Sequence, residues 1–325
     1  MLADIARLID ACKRTRVLIV GDAILDSYFE GSALRFCREA PVPNVTISRR
    51  VDLAGGAANT ARNIAALAGR TDFLTVVGDD DEGRRLSEAL EKQNVHTGHV
   101  AMERGRRTRA KHRVVAESQL LLSFDCGDTG PVGRDAEQQL LELLSASYRL
   151  ADAVIVADYG YGAVTPRVIA ALAALQSQHP RTLVIDSRHR LTAFRNARPT
   201  AVKPNFEEFQ ALIGMAGTPP DIDRAELAMR RAPSILRRTG ADIAAITLDG
   251  DGAVLARRGA RPQRFFARPG LVRCSAGAGD TYVAMMALAL TQGLPLETVG
   301  ELCAGAASVV IGEERTAACS AAQLH

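Results

Sequence analysis

Residues 274–281 read Cys-Ser-Ala-Gly-Ala-Gly-Asp-Thr, and an apolar run over 282–290 follows them directly. Glycines allow backbone N–H groups to approach an anion closely, and a helix that begins at such a turn adds a partial positive charge. The pattern therefore predicts a phosphate-binding turn at 277–279, with Asp280 beside the bound group. A glycine-containing helix entry with an Asp in its first turn would give the same pattern without a ligand. The turn is not a P-loop, because the chain has no Gly-Lys dipeptide.

Short apolar runs alternate with helical patterns along the chain. Residues 2–12 have helical spacing, and the apolar run 17–20 ends at Gly21 and Asp22. Further strand candidates lie at 73–77, 154–156, 183–185, 243–247 and 253–256, with helix candidates such as 135–147 and 166–177 between them. The alternation predicts a three-layer α/β fold, in which a mostly parallel central sheet is flanked by helices.

Two stretches depart from this alternation. Residues 42–51 and 108–125 read as extended segments with alternating polar positions, which predicts a small accessory sheet. We expect it to form a β lid built from approximately 28–53 and 96–127. No internal repeat or Pro/Gly-rich linker divides the chain, so residues 1–325 are expected to form a single catalytic domain.

Composition argues against several classes of protein. The net charge is only +3, and the basic run 104–113 contains no interleaved aromatic residue, so we expect no nucleic-acid partner. Six scattered cysteines without a C-x-x-C pair predict neither a zinc site nor a disulfide framework, which is typical of a reduced cytoplasmic protein. No apolar run reaches the ~18 residues of a membrane span, so we expect no membrane partner.

Polar residues follow other strand candidates. Asp22 and Asp26 come after the first strand, where ligands collect in open α/β sheets, and carboxylates suit the binding of sugar hydroxyls. Gly55 and Gly56 form a second glycine turn before a helix expected over 60–68, with Asn59 on its first turn; tight packing would explain this turn equally well. Asn205 and Glu208 follow a later strand and suit either Mg²⁺ held through water or a helix cap.

The order of these motifs resembles the ribokinase-like carbohydrate kinases over nearly the whole chain. The set comprises an Asp at the first strand end, G-G-x-x-N, D-Y-G-x-G at 158–162, P-N-x-x-E, T-L-D-G-D-G at 247–252 and G-A-G-D. Within the family, residues 31–43, with Arg35 and the run Glu-Ala-Pro-Val-Pro, are most similar to bacterial kinases of D-glycero-β-D-manno-heptose 7-phosphate. Those enzymes phosphorylate O1 of the sugar for ADP-heptose and lipopolysaccharide precursor synthesis.

The resemblance implies roles for the matching residues, with ATP and Mg²⁺ as cofactors and a sugar or sugar phosphate as partner. It implies that Asp280 is the general base and that the amides of Gly277, Ala278 and Gly279 form an anion hole. It implies sugar binding by Asp26, Gly55, Gly56 and Asn59, Mg²⁺ and phosphate binding by Asn205 and Glu208, and a nucleotide pocket lined by Thr247, Gly250 and Gly252. Arg35, Lys111 and Arg113 are the candidates for the substrate's own phosphate, because guanidinium groups bind phosphate well. The family also often forms homodimers through the lid.

Several positions depart from the family pattern, mostly on the nucleotide side. Where the family usually has D-x-T-G before A-G-D, this chain has Arg273, Ser275 and Ala276. Ala304 stands where many relatives carry an Asn, Tyr161 stands at the usual Lys of D-Y-x-K-G, and the run 313–315 replaces a glycine-containing turn. Three interpretations remain open: a heptose-7-phosphate kinase, a kinase for another sugar or sugar phosphate, and a sugar- or nucleotide-binding relative with little catalysis. Retention of Asp280 with both flanking glycines favours the catalytic ones.

Overall fold

The computed structural model describes residues 8–67, 69–215, 217, 222–268, 270 and 273–324. Its strands are β1 (Arg16–Gly21), β2 (Ala23–Phe36), β3 (Pro43–Gly56), β4 (Arg70–Gly78), β5 (Val100–Glu103), β6 (Ala110–Ala116), β7 (Gln119–Cys126), β8 (Ala153–Asp158), β9 (Thr182–Ser187), β10 (Ala201–Val202), β11 (Ile243–Thr247), β12 (Ala253–Arg257) and β13 (Gln263–Phe265). Its α-helices are α1 (Ala57–Ala66), α2 (Asp81–Glu91), α3 (Arg134–Tyr148), α4 (Pro166–Gln178), α5 (Phe206–Ile213), α6 (Arg224–Thr239), α7 (Ala278–Thr291) and α8 (Leu296–Ile311).

A nine-stranded sheet forms the middle layer, in the order β13-β12-β11-β10-β9-β8-β1-β4-β5. The strands from β11 to β5 are parallel, and β12 and β13 are antiparallel at one edge. β1 lies between β4 and β8, with Ile19 opposite Phe73 and Ile155. The predicted fold class, a mostly parallel sheet flanked by helices with a smaller sheet, is confirmed.

Side chains of the central strands alternate between two apolar layers. Val17 and Ile19 of β1 pack into one layer with α1, α7 and α8, whereas Leu18 and Val20 pack into the other with α3 to α6. All four side chains are fully buried. Because a strand covered by helices on both faces is apolar at every position, the run 17–20 could be recognised as a central strand.

A separate four-stranded sheet, in the order β3-β2-β6-β7, forms the lid. It takes in residues 23–56 and 110–126, whereas the sequence placed the lid over about 28–53 and 96–127. The difference arises because β2 begins directly after Asp22, and because β5 lies within 96–127 but pairs with β4 in the large sheet. The lid sheet is therefore continuous with the end of β1.

Two other expectations need adjustment. The helix expected over 60–68 is α1, which begins three residues earlier because β3 runs to Gly56 and passes straight into it. Residues 8–12 are helical, as predicted for 2–12, while residues 2–7 lie outside the described residues.

All six cysteines are in the described part of the chain, and none forms a disulfide. Within the described ranges no helix is both long and apolar enough to cross a membrane.

The basic run 104–113 contributes contacts at the base of the lid. Arg106 donates to the carbonyl oxygens of Gly130 and Tyr161, at 3.1 and 2.6 Å. Arg109 donates to the Cys126 carbonyl at 3.1 Å, and its guanidinium lies 4.7 Å from the centre of the Tyr161 ring. These two arginines tie the lid to the neighbouring loops, which accounts for part of the run without a polyanionic partner.

Candidate active site

The polar residues predicted to be functional, with the exception of Arg35, converge where the parallel strands end. β1, β8, β9 and β11 end at Gly21, Asp158, Ser187 and Thr247, and α7 begins at Ala278 on the same side of the sheet. The lid strands start from that edge, directly after β1. Backbone topology thus places the lid, the strand ends and the start of α7 around one cleft.

Asp280 is held at the first turn of α7 by side chains from two other elements. It is 6% exposed. Asn59 of α1 donates its amide N–H to Asp280 Oδ2 at 2.8 Å, and Thr60 Oγ1 lies 3.4 Å from Oδ1. The phenol of Tyr159, from the loop after β8, also donates to Oδ1. The carboxylate is therefore oriented by neighbours that are distant in the sequence.

Buried charges surround Asp280. Lys203 and Asp186 form an ion pair of 3.2 Å, and both groups interact electrostatically with Asp280. Burial raises the pKa of Asp280 to about 6, although the hydrogen bonds from Tyr159 and Asn59 act in the opposite direction. A carboxylate with this pKa is ionised at neutral pH and is basic enough to accept a proton from a hydroxyl in the transition state.

Gly277 permits the close approach of the turn to Asn59. Its φ is 88°, in the left-handed region, and a Cβ there would lie 2.7 Å from Asn59 Nδ2. Amide N–H groups in the first turn of a helix have no intrahelical acceptor and point toward the cleft. Ala278 N–H has a long contact of 3.3 Å to the Ser275 carbonyl. A Cβ at Gly279 would lie 3.5 Å from Lys203 Nζ, so a buried ammonium group adjoins this turn.

Asp26 forms a second polar cluster at the lid side of the cleft. It is buried, and its carboxylate accepts from Arg113 at 3.0 Å and from Thr316 Oγ1 at 3.2 Å. A Cβ at Gly55 would lie 2.7 Å from Asp26 Oδ2, so glycine at this position makes room for the carboxylate. Gly56 is the last residue of β3 and is also buried. Lys111 is paired in register with Asp26 across β2 and β6 and is partly exposed.

Asn59 lies between the two clusters. It is fully buried, and its amide group is committed to Asp280, while its Oδ1 has no hydrogen-bond partner among the described residues. An acceptor buried without a partner is costly unless a ligand or water satisfies it. Asn59 Oδ1 is thus free to accept from a hydroxyl group in the cleft.

Asn205 and Glu208 form a capping box at the start of α5. Asn205 Oδ1 accepts from the Glu208 N–H at 2.8 Å, and Glu208 Oε2 accepts from the Asn205 N–H at 2.9 Å. Burial raises the pKa of Glu208 to about 7, and Lys203 acts in the opposite direction. Within the described ranges no group of three or more His, Cys, Asp or Glu is arranged to hold a metal ion. The oxygen atoms of Asn205 and Glu208 are of the kind that Mg²⁺ prefers, but both side chains are engaged in the capping box. They therefore fit an ion that is bound mainly by phosphates and water and that Glu208 would contact through a water molecule.

The predicted nucleotide-side residues lie around the end of β11. Thr247 ends β11, and its N–H donates to the Pro204 carbonyl at 3.0 Å, which joins this strand end to the Asn205 turn. Gly250 is exposed in the following turn, and Gly252 immediately precedes β12. These residues and Asn205 therefore share one end of the cleft.

The structure does not bring Arg35 to this group. Arg35 is exposed near the far end of β2, nine residues beyond Asp26, a separation of about 30 Å along an extended strand. The prediction that Arg35 binds the substrate's phosphate within one subunit is not supported, because residues 23–36 form a single 14-residue strand that carries Arg35 away from Asp26. Within one subunit, Arg113 is the predicted cation that contacts a sugar-site residue.

Comparisons with known proteins agree with this architecture. Residues 14–323 match the pfkB family of carbohydrate kinases. The chain belongs to the pfkB carbohydrate kinase family. It is 32% identical over 322 residues to a protein named bifunctional protein HldE from Caulobacter sp. (strain K31), and 32% identical to its namesake from Rhodospirillum rubrum. These matches cover 98% of this chain but 64% and 63% of the relatives, so the chain spans less than two thirds of their length.

Solved structures of a phosphofructokinase and of a ribokinase share the fold. Phosphofructokinase-2 from Escherichia coli, in complex with potassium, superposes with a TM-score of 0.76 at 22% identity, covering 95% of this chain and 96% of the other. Ribokinase from Arabidopsis thaliana, complexed with ribose and ATP, gives a TM-score of 0.71 at 20% identity, covering 95% and 97%. The resemblance to ribokinase-like kinases is thereby confirmed at the level of fold, and this pfkB-family chain is a phosphotransferase of the carbohydrate kinase type.

Two positions that depart from the family pattern form a contact with each other. Arg273 lies 3.4 Å from Glu314, and both side chains are more than half exposed. Arg273 lies directly before Cys274, the position on which the Asp of D-x-T-G falls when it is counted back from Gly277. The Arg273 guanidinium and the Glu314 carboxylate partly offset each other's charge at the surface.

Several residues of the cleft in this pfkB-family chain could not be recognised from the sequence. Tyr159, Thr60 and Thr316 contact Asp280 or Asp26, and Lys203 pairs with Asp186 beside the glycine turn. Tyr159 lies within D-Y-G-x-G and Lys203 directly precedes P-N-x-x-E, but neither motif indicates which carboxylate the side chain contacts. Thr316 lies in a segment without a recognisable motif.

Proposed function

We propose that this chain is an ATP-dependent sugar kinase that phosphorylates O1 of D-glycero-D-manno-heptose 7-phosphate. The observation that carries the proposal is the buried Asp280 carboxylate, held at the start of α7 directly after Gly277, Ala278 and Gly279. The resemblance of residues 31–43 to heptose-phosphate kinases and the relatives named HldE support the choice of sugar.

In the proposed reaction, Asp280 removes the proton from the sugar hydroxyl as its oxygen attacks the γ-phosphorus of ATP. The bond between the γ-phosphorus and the β–γ bridging oxygen breaks, and ADP leaves. Charge on the transferred phosphoryl group is stabilised by the helix N-terminus and by the amides at 277–279, with the Lys203 ammonium close to the same turn. Asp280 then holds the proton until solvent accepts it.

The sugar is proposed to bind between the two polar clusters. Asp26 accepts hydrogen bonds from sugar hydroxyls and Asn59 Oδ1 accepts another, while Gly55 makes room for the Asp26 carboxylate and Gly56, with a φ of 58°, allows the chain to turn into α1. Arg113, with Lys111 beside it, supplies positive charge for a phosphate carried by the substrate. Arg35 lies at the lid tip, the end of the lid sheet farthest from β1. It could bind the substrate's phosphate only if the lid tip of a second subunit reached the cleft of the first.

The nucleotide is proposed to lie between the β11 end and α7, with Thr247, Gly250 and Gly252 along its pocket. Mg²⁺, when bound with ATP, neutralises phosphate charge. Asn205 and Glu208 would hold it through water, because direct ligation by Glu208 would break the capping box.

We further propose a cytoplasmic homodimer that pairs through the lid. The lid exposes large apolar side chains, including Leu34 at 89%, Phe36 at 71%, Leu120 at 58% and Leu122 at 54%. Exposed apolar groups gathered on one element mark interaction surfaces. Covering them in a dimer would also bring lid tips close to neighbouring subunits.

A kinase of another sugar is the second candidate, because Arg35 is remote from the cleft within one subunit. An ADP-release assay with ATP and Mg²⁺ over free sugars and sugar phosphates separates the two, with the phosphorylated carbon of the product identified by ³¹P–¹H correlation. The proposal expects heptose 7-phosphate to be the best acceptor, with the new phosphate on O1. Preferential turnover of free hexoses would reject the heptose assignment, and no ADP release with any acceptor would reject kinase activity.

A further inference from the structure

Tyr159 reaches Asp280 from a different part of the fold than the glycine motif. Its O–H donates to Oδ1, which also lies near Thr60 Oγ1, while Oδ2 accepts from Asn59. A carboxylate offers about four lone-pair positions, so these donors leave one for an incoming hydroxyl. The donors therefore determine which lone pair of Asp280 faces the cleft.

The loop that carries Tyr159 is held by Asp22. Asp22 lies between β1 and β2 and is 3% exposed. Its carboxylate accepts the backbone N–H groups of Tyr159 at 2.9 Å, Tyr161 at 3.0 Å and Ala163 at 2.9 Å. Three backbone donors on one buried carboxylate attach this loop firmly to the end of β1.

We propose that Tyr159 is a positioning residue for the base, with its phenol O–H orienting the Asp280 carboxylate and Asp22 holding the loop that delivers the phenol. The inference rests on the proposed role of Asp280 as the base. Tyr159 keeps its proton throughout, because burial and the neighbouring Asp280 raise its pKa well above 10. It acts as a hydrogen-bond donor over the whole working pH range.

The phenol also influences the pH at which the base ionises. The titratable groups that interact with the Asp280 carboxylate are Tyr159, Lys203 and Asp186. Asp26 also interacts electrostatically with the phenol of Tyr159. A hydrogen bond donated to the carboxylate stabilises its ionised form. Removing it raises the pKa of Asp280, so the acidic limb of the activity profile moves to higher pH.

Tyr159→Phe tests the proposal, with kcat and kcat/KM of the full chain measured from about pH 5 to 9 with ATP, Mg²⁺ and an accepted sugar. We expect kcat to fall about ten- to a hundredfold and the acidic limb to rise by about one pH unit, since the lost bond is to a charged group. KM for the sugar should change by less than this. Tyr161→Phe is the matched control, because it removes a phenol two positions away whose ring packs on Arg109; its profile should match that of the unmodified chain.

Asp280→Asn in the same assay separates this inference from the proposed function. An active Asp280→Asn variant overturns the base itself. If Asp280→Asn is inactive but Tyr159→Phe keeps the original acidic limb, the positioning role is wrong even when activity or melting temperature falls. Asp22→Asn is the second variant should Tyr159→Phe fold poorly, and it is expected to move the limb in the same direction; an unmoved limb in a folded Asp22→Asn protein contradicts the role of Asp22.

Discussion

Burial determines the pH range in which Asp280 can act as a base. Its pKa is raised from 3.8 to about 6, and only the ionised form accepts a proton. We therefore expect kcat/KM to be flat above neutrality and to fall as pH drops through about 6, approaching a tenfold loss per unit. The measurement is a pH profile of initial rates at low sugar concentration.

Glu208 is the other carboxyl group whose pKa, about 7, lies in the same range. The Glu208→Gln substitution removes the ionisable group at this position. The remaining kcat/KM of the variant should still fall as pH drops through about 6, because Asp280 is unchanged. A limb near pH 4 in the unmodified chain would show that Asp280 is not the group that titrates.

The two lid arginines allow a comparison of substrate-phosphate contacts. Arg113 donates to Asp26, whereas Arg35 is exposed at the far end of the same sheet. A charge-assisted contact contributes about 1.5–3 kcal/mol, so Arg113→Ala should raise KM for a sugar phosphate roughly ten- to a hundredfold, with a smaller change in kcat.

Arg35→Ala is the control in the same steady-state assay and should leave KM nearly unchanged if the phosphate is bound within one subunit. A large KM effect from Arg35→Ala, with little from Arg113→Ala, would contradict that placement. It would show that the phosphate-binding cation comes from the lid tip of a neighbouring subunit.

At the scale of elements, the start of α7 depends on one glycine more than on the other. An Ala at Gly277 needs a left-handed backbone, which costs about 1–2 kcal/mol, and its Cβ would displace Asn59 from Asp280. We expect Gly277→Ala to lower the free energy of unfolding by more than about 1 kcal/mol in urea melts, and to reduce kcat.

Gly279→Ala is the matched substitution two residues later. Gly279 is helical, and its added Cβ would lie 3.5 Å from Lys203 Nζ, an ordinary contact. Stability should stay level or rise, because Ala favours helix over Gly by about 0.5–1 kcal/mol. Equal destabilisation by the two changes would argue against a specific steric role of Gly277.

The elements that the sequence predicted well are those whose burial is uniform. The strands β8, β9, β11 and β12 contain the apolar runs 154–157, 183–185, 243–246 and 253–256, which are buried throughout because both faces of each strand are covered. The lid was harder to bound. β2 carries Asp26 and Tyr28 on buried positions and Arg35 on an exposed one, so no single period runs along it.

At the scale of the whole molecule, the candidate site could be predicted only where the residues that form it are close together in the sequence. Gly277 to Asp280 combine a turn, a helix start and a carboxylate within four residues, and Asn205 with Glu208 contain a capping box within four. The contact between Tyr159 and Asp280 joins residues 121 positions apart and exists only through the packing of α7 beside β8. The distance of Arg35 from the cleft likewise follows from the length of β2, not from its neighbours in the sequence.

The central claim is that Asp280 removes the proton from the sugar hydroxyl during phosphoryl transfer. Its most direct test is single-turnover product formation by Asp280→Asn and by the unmodified chain, with sugar affinity measured in parallel by calorimetry. Asp152→Asn, a change at an exposed carboxyl group outside the cleft, is the control. Because general-base catalysis is typically worth about 10²–10⁴-fold, we expect a loss of that size with sugar affinity and folding nearly intact. Product formation by Asp280→Asn within a few-fold of the unmodified rate would contradict the account.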